Sequence, residues 1–233
     1  MESSIFQAEN GKKYLFPFIL VACLFFLSGY TNALLDVLNK YFQEVLHISR
    51  AESGLVQFSL YSGYFLMAIP AGLFIHKYGY NKSLILGLLI LITGTLLFIP
   101  GAYIKSYDVF LFALFVIACG FSFFEIIANP YATFLGGEHA ATRRINLAQA
   151  FNGIGWIFGP LLGGLIIFNS SGNTHFNNLP IPFAILGVGI LIILIIIIRN
   201  PLPELSEIKK YNEEKSELNT SPRKPFYKLF YIK

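Results

Sequence analysis

Charge is what this sequence has least of. Asp, Glu, Lys and Arg make up 13% of its 233 residues, where a hydrated soluble domain carries about a quarter. That scarcity excludes an ordinary water-facing surface. Cysteine is nearly absent as well. Cys23 and Cys119 both fall in apolar runs without a CxxC neighbour, which argues against a disulfide framework or a cysteine metal site. The histidines, His47, His76, His139 and His175, read as loop residues without metal spacing. The sequence has no P-loop, GxSxG or His/Cys cluster, so no catalytic residue, metal ligand or cofactor is assigned and the chain reads as a non-enzyme. The net charge of +4 comes mostly from the far C-terminus and short loops. No basic segment with interleaved aromatics marks a nucleic-acid partner.

What is present is apolar and comes in blocks. Hydrophobic residues are 55% of the chain, and runs such as 84–99 and 183–198 exceed any core strand. About 20 residues of helix cross roughly 30 Å of hydrocarbon. On that ruler the chain is an all-α membrane protein with six transmembrane helices, at 15–42, 54–76, 82–101, 107–132, 145–169 and 181–199. Residues 1–14 form an N-terminal segment and 200–233 a polar tail, whose basic, aromatic end 224–233 suits a membrane surface. Lys12-Lys13 and the apolar run after them imitate a signal peptide, but no small-residue cleavage site follows. Orientation comes from Lys and Arg. A cytoplasmic N-terminus puts Lys12, Lys13, Lys77, Lys82, Arg143, Arg144, Arg199 and the tail inside, against Lys40, Arg50 and Lys105 outside. Both termini are therefore expected in the cytoplasm.

A faint internal repeat accompanies this plan. Leu55-Val-Gln57 with Gly63 resembles Leu147-Ala-Gln149 with Gly155, as expected if helices 1–3 and 4–6 are two inverted copies.

Polar residues inside such spans carry the chemistry. Asp36 with Asn32, and Glu125 with Asn129, each set a carboxylate and an amide four apart on one helix face. A charge at mid-bilayer costs about 2.5–3.5 kcal/mol on insertion scales, so such groups usually face a cavity. A carboxylate there can exchange a proton and bias the conformation of its surroundings. The bland reading makes Asp36 a cap at the outer end of helix one. Gln149, Asn152 and Trp156 line one stripe of helix five, and Gln57 and Tyr61 one stripe of helix two. Amides, phenol and indole suit a polyhydroxylated ligand, although hydrogen bonds between helices use the same residues. The glycine string Gly155, Gly159, Gly163 and Gly164 reads as close helix packing, and Pro70, Pro130 and Pro160 as bends.

Four stretches carry a family resemblance: Asn32-Ala-Leu-Leu-Asp36, Gly54-Leu-Val-Gln57 with Gly63-Tyr-Phe and Pro70-Ala-Gly, Glu125-Ile-Ile-Ala-Asn129-Pro-Tyr, and Arg144-Ile-Asn-Leu-Ala-Gln149-Ala-Phe-Asn152. The chain resembles the major facilitator superfamily, in its fucose permease and glucose/galactose transporter branch. The resemblance implies a proton-coupled sugar symporter of twelve helices in two halves around a shared cavity. It implies coupling roles for Asp36 and Glu125, with the proton gradient rather than a cofactor as driving force. Glu125 leans toward the fucose-like type, since some glucose/galactose members carry Gln there. Leu35 stands where Asn is frequent, Ile126 and Ile127 where small residues are usual, and His76 where an acid is common. The string from Gly159 to Gly164 also resembles proton/drug antiporters. The sequence accommodates one six-helix half, so the expectation is a truncated or half-length bacterial inner-membrane transporter. It would work with a second half or as a homodimer, the other reading being a non-transporting fragment.

Overall fold

The computed structural model describes residues 6, 14–168 and 178–204. Lys12-Lys13, His175, the polar stretch 169–177 and the tail end 224–233 lie outside the described residues.

Among the described residues, seven α-helices follow one another: α1 Leu15–Val45, α2 Arg50–Tyr78, α3 Tyr80–Leu96, α4 Phe98–Ile104, α5 Tyr107–Phe134, α6 Ala141–Phe168 and α7 Pro180–Arg199. A one-residue break separates α3 from α4, and together they make one span, Tyr80–Ile104. Six spans among the described residues are therefore long and apolar enough to cross a bilayer, and no strand occurs there.

Most spans run past the limits that hydropathy alone gives, and in α2 a polar cap accounts for it. Arg50-Ala51-Glu52-Ser53, which reads as a divider, is the first turn of α2. Ser49 accepts from the Glu52 amide while the Glu52 carboxylate accepts from the Ser49 N–H at 2.7 Å, a reciprocal cap that satisfies two otherwise orphaned donors. Gly79, at φ 82°, alone separates α2 from α3, so the turn expected over 77–82 shrinks to one residue. His76 accordingly sits in the last turn of α2 rather than in a loop.

Burial reveals how the spans are arranged. Of the most apolar stretch in each, 72% is buried in the first and 61% in the fourth. The second and fifth are 22% buried, the third and sixth 44%. The order central, outer, intermediate thus occurs twice, as two three-helix repeats require. The repeats exchange partners: α6 packs along α1, and α2 along α5. The third span and α7 lie together, with α3 also against α5.

Small residues allow the two exchanged contacts. A methyl added to Gly63 would lie 2.6 Å from the Phe115 carbonyl oxygen and 2.7 Å from the Ala118 methyl. One added to Gly155 would overlap the Phe26 carbonyl oxygen and lie 2.6 Å from the Tyr30 nitrogen. Gly159 and Gly163 continue this seam along Tyr30, Ala33 and Leu34, so these three glycines form a packing surface, while Gly164 faces away from it. Each seam also has a polar pin. Asn152 Nδ2 donates to the Phe25 carbonyl at 3.0 Å, and Ser59 Oγ to the Leu111 carbonyl at 2.5 Å.

Two further features lock the end of the bundle where α5 stops and α6 begins. Arg144 is fully buried and donates to the carbonyls of Ala132 (3.2 Å), Thr133 and Gly137 (3.0 Å), binding the last turn of α5. After α7, the chain from Pro201 to Glu204 straps across the same end. Leu202 exchanges hydrogen bonds with Asn81, Tyr131 donates to the Pro203 carbonyl at 2.8 Å, and Glu204 accepts from the first amides of α3.

Candidate functional site

α1 is packed along most of its circumference, and Asp36 and Asn32 lie on its open stripe, Asp36 exposed and Asn32 half-buried. Glu125 and Asn129 are likewise exposed on α5, a helix otherwise mostly buried. Each carboxylate therefore shares a face with its amide, as the spacing requires. The amides do not serve the carboxylates, however. Asn32 Nδ2 donates to the Ser28 carbonyl at 3.0 Å and Asn129 Nδ2 to the Glu125 backbone carbonyl at 3.1 Å.

Tyr64 of α2 lies near both groups. Its hydroxyl is buried and lies within interaction reach of both the Glu125 carboxylate and the Asn32 amide, with Tyr61 close by, yet closes no hydrogen bond of normal geometry. Side chains from α1, α2 and α5 thus come near one another here. A sequence signal for Tyr64 exists: it continues the Gln57–Tyr61 stripe by three residues. A phenol in an aromatic-rich apolar run does not stand out as an acid does.

Asp36 stands apart from this cluster. Ring contacts of Phe25 with Phe124, and of Phe42 with Tyr107 and Phe110, set α1 and α5 antiparallel, with Glu125 near the level of Phe25. Asp36 lies eleven residues beyond Phe25, roughly 16 Å at 1.5 Å per residue. The two acids do not share one depth. Their relation is one of symmetry. Gly155 meets Phe26, Gly29 and Tyr30, whereas Gly63 meets Phe115, Ala118 and Cys119, each displaced by 89 positions. The same displacement carries Asp36 onto Glu125. The acids occupy equivalent positions of the two repeats, and inversion puts equivalent positions at opposite depths.

The other candidates divide between α2 and α6. Gln57 is half-buried and Tyr61 is 65% exposed. On α6, Gln149 and Trp156 are exposed, while the Asn152 amide is engaged in pinning α6 to α1. Among the described residues, no group of His, Cys, Asp and Glu is clustered so as to hold a metal ion.

The family model of the Major Facilitator Superfamily matches residues 21–232. The chain belongs to that superfamily. Its fold is one half of the superfamily's architecture, built as two inverted three-helix repeats, and it is an integral membrane protein. It is 39% identical over 164 residues to the L-fucose-proton symporter of Escherichia coli, covering 70% of this chain and 37% of that protein. It is 30% identical over 215 residues to the glucose/galactose transporter of Brucella abortus, covering 91% of this chain and 52% of that protein. Among solved structures, the superfamily transporter FucP in the outward conformation superposes with a TM-score of 0.69 at 34% identity, covering 84% of this chain and 52% of that one. The match spans about half the length of these relatives or less.

Proposed function

We propose that this chain provides the N-terminal half of a proton-coupled sugar symporter of a bacterial inner membrane, for a fucose- or hexose-like substrate. The observation that supports this reading is the placement of two acids, Asp36 and Glu125, on the open stripes of α1 and α5 at equivalent positions of the two repeats. The relatives' names supply the substrate class and the proton. Glu125 and Asp36 act as proton-coupling groups, with the gradient as energy source. Gln57, Tyr61, Asn129, Gln149, Asn152 and Trp156 join Asn32 as the candidate sugar contacts.

With both termini cytoplasmic, Glu125 sits toward the cytoplasmic side and Asp36 toward the outside. A second six-helix half, on the same or another polypeptide, closes the cavity by covering α2 and α6. In the string that favoured drug efflux, Gly159 and Gly163 pack α6 on α1, and a methyl added to Gly164 has nothing within 4 Å.

Uptake of radiolabelled L-fucose, with D-glucose and D-galactose as competitors, tests the reading in cells that express the chain with a second half. Glu125→Gln is expected to lower gradient-driven accumulation by about tenfold or more, the equivalent of about 1.4 kcal/mol of lost coupling. Normal accumulation by that variant would remove Glu125 from the mechanism.

A further inference from the structure

The two central helices change character near their acids. In α1, the positions left open before Asn32 are apolar, Cys23, Phe26 and Leu27 among them. From there on they are Asn32, Asp36, Asn39, Lys40, Gln43 and Glu44, which recur on one face. Asn32 and Gln43 are roughly 16 Å apart at 1.5 Å per residue. In α5 the open positions Leu111, Phe115 and Cys119 are apolar, and Glu125, Asn129 and Thr133 then follow at intervals of four, beside Ile126 and Pro130. Each helix thus has an apolar first part and a polar last part, with its acid close to the junction. An apolar face such as Phe65 and Ile69 of α2 suits hydrocarbon or another helix. A stripe of amides and charges does not.

The side chains of the α1 stripe are set for contact with water. Gln43 Nε2 donates to Ser53 Oγ of α2 at 2.9 Å, which fixes the amide and leaves its oxygen as an acceptor. Asn39 Oδ1 is buried and accepts no hydrogen bond among the described residues, and a buried acceptor requires a donor. At the far end Lys40 and Glu44 pair at 3.8 Å. We propose that the two stripes are separate hydrated approaches, Asn39 and Gln43 lining the one to Asp36, Asn129 and Thr133 the one to Glu125. Because α1 and α5 run antiparallel and both polar parts are C-terminal, the approaches open on opposite faces of the membrane. With the N-terminus cytoplasmic, Asp36 exchanges its proton with water from outside and Glu125 with water from the cytoplasm. The apolar first part of each helix stops its approach from continuing through the bundle as a proton leak.

This inference rests on the proton-coupled reading, but thiol labelling reports water and not transport, so either can fail alone. Cells expressing the chain with a second half, and inside-out vesicles made from them, are treated with a membrane-impermeant methanethiosulfonate reagent. The native thiols Cys23 and Cys119 lie in the apolar parts and should stay unlabelled in both. With these two replaced by Ser, Asn39→Cys and Gln43→Cys should react in intact cells at least about tenfold faster than in vesicles. Asn129→Cys and Thr133→Cys should show the reverse preference. Labelling after denaturation gives the total of each variant, and where one variant fails to reach the membrane the other position on its stripe decides. Cysteines at Asn39 and Gln43 that react no faster than the native thiols overturn the inference, as does reaction of all four positions from one face. The same pattern with the sides exchanged keeps the two approaches and reverses the orientation of the chain.

Discussion

At the scale of single residues, two glycines of α6 differ in what surrounds them. Gly155 faces the backbone of α1, whereas a methyl added to Gly164 has nothing within 4 Å. Gly155→Ala is expected to destabilise the bundle by about 1–3 kcal/mol, the usual cost of overpacking, and Gly164→Ala to leave it unchanged. Thermal unfolding of each variant in lipid nanodiscs measures this, and equal behaviour would contradict the seam. The acids Asp36 and Glu125 are legible in the sequence because lipid penalises charge. Their partners are not. Which group meets Glu125 depends on the helix that lies opposite, so Tyr64 becomes a candidate only once α2 is set against α5.

At the scale of elements, hydropathy finds the six spans because each must offer an unbroken apolar length to the bilayer. It misses their ends, where polar side chains such as Ser49 and Glu52 extend a helix beyond its apolar stretch. The repeat is faint in the sequence because three matched residues carry it, and plain in the structure because Gly63 and Gly155 meet equivalent atoms. The strap after α7 has no sequence pattern at all, since it depends on Asn81 and Leu202 meeting across 121 positions. Asn81→Ala should cost about 1–3 kcal/mol by leaving buried partners unsatisfied. The Leu202 amide should then exchange faster with deuterium, and unchanged protection would mean that the strap is held by other contacts.

At the scale of the whole molecule, the faces of α2 and α6 decide what the chain needs around it. Phe65 is 80% exposed, Ile69 74%, Ile157 67% and Leu165 58%. A second half that covers these faces should protect cysteines placed at Phe65 and Leu165 from a membrane-permeant maleimide, in a variant with Cys23 and Cys119 replaced by Ser. Labelling that is the same with and without the second half would contradict the proposed pairing.

The central claim is that Glu125 takes up a proton as part of moving sugar. A pH electrode in a weakly buffered suspension of de-energised cells, expressing the chain with a second half, measures it directly. Adding L-fucose should make the medium transiently alkaline, and Glu125→Gln should abolish that signal. Alkalinisation of the same size in the variant would contradict the account.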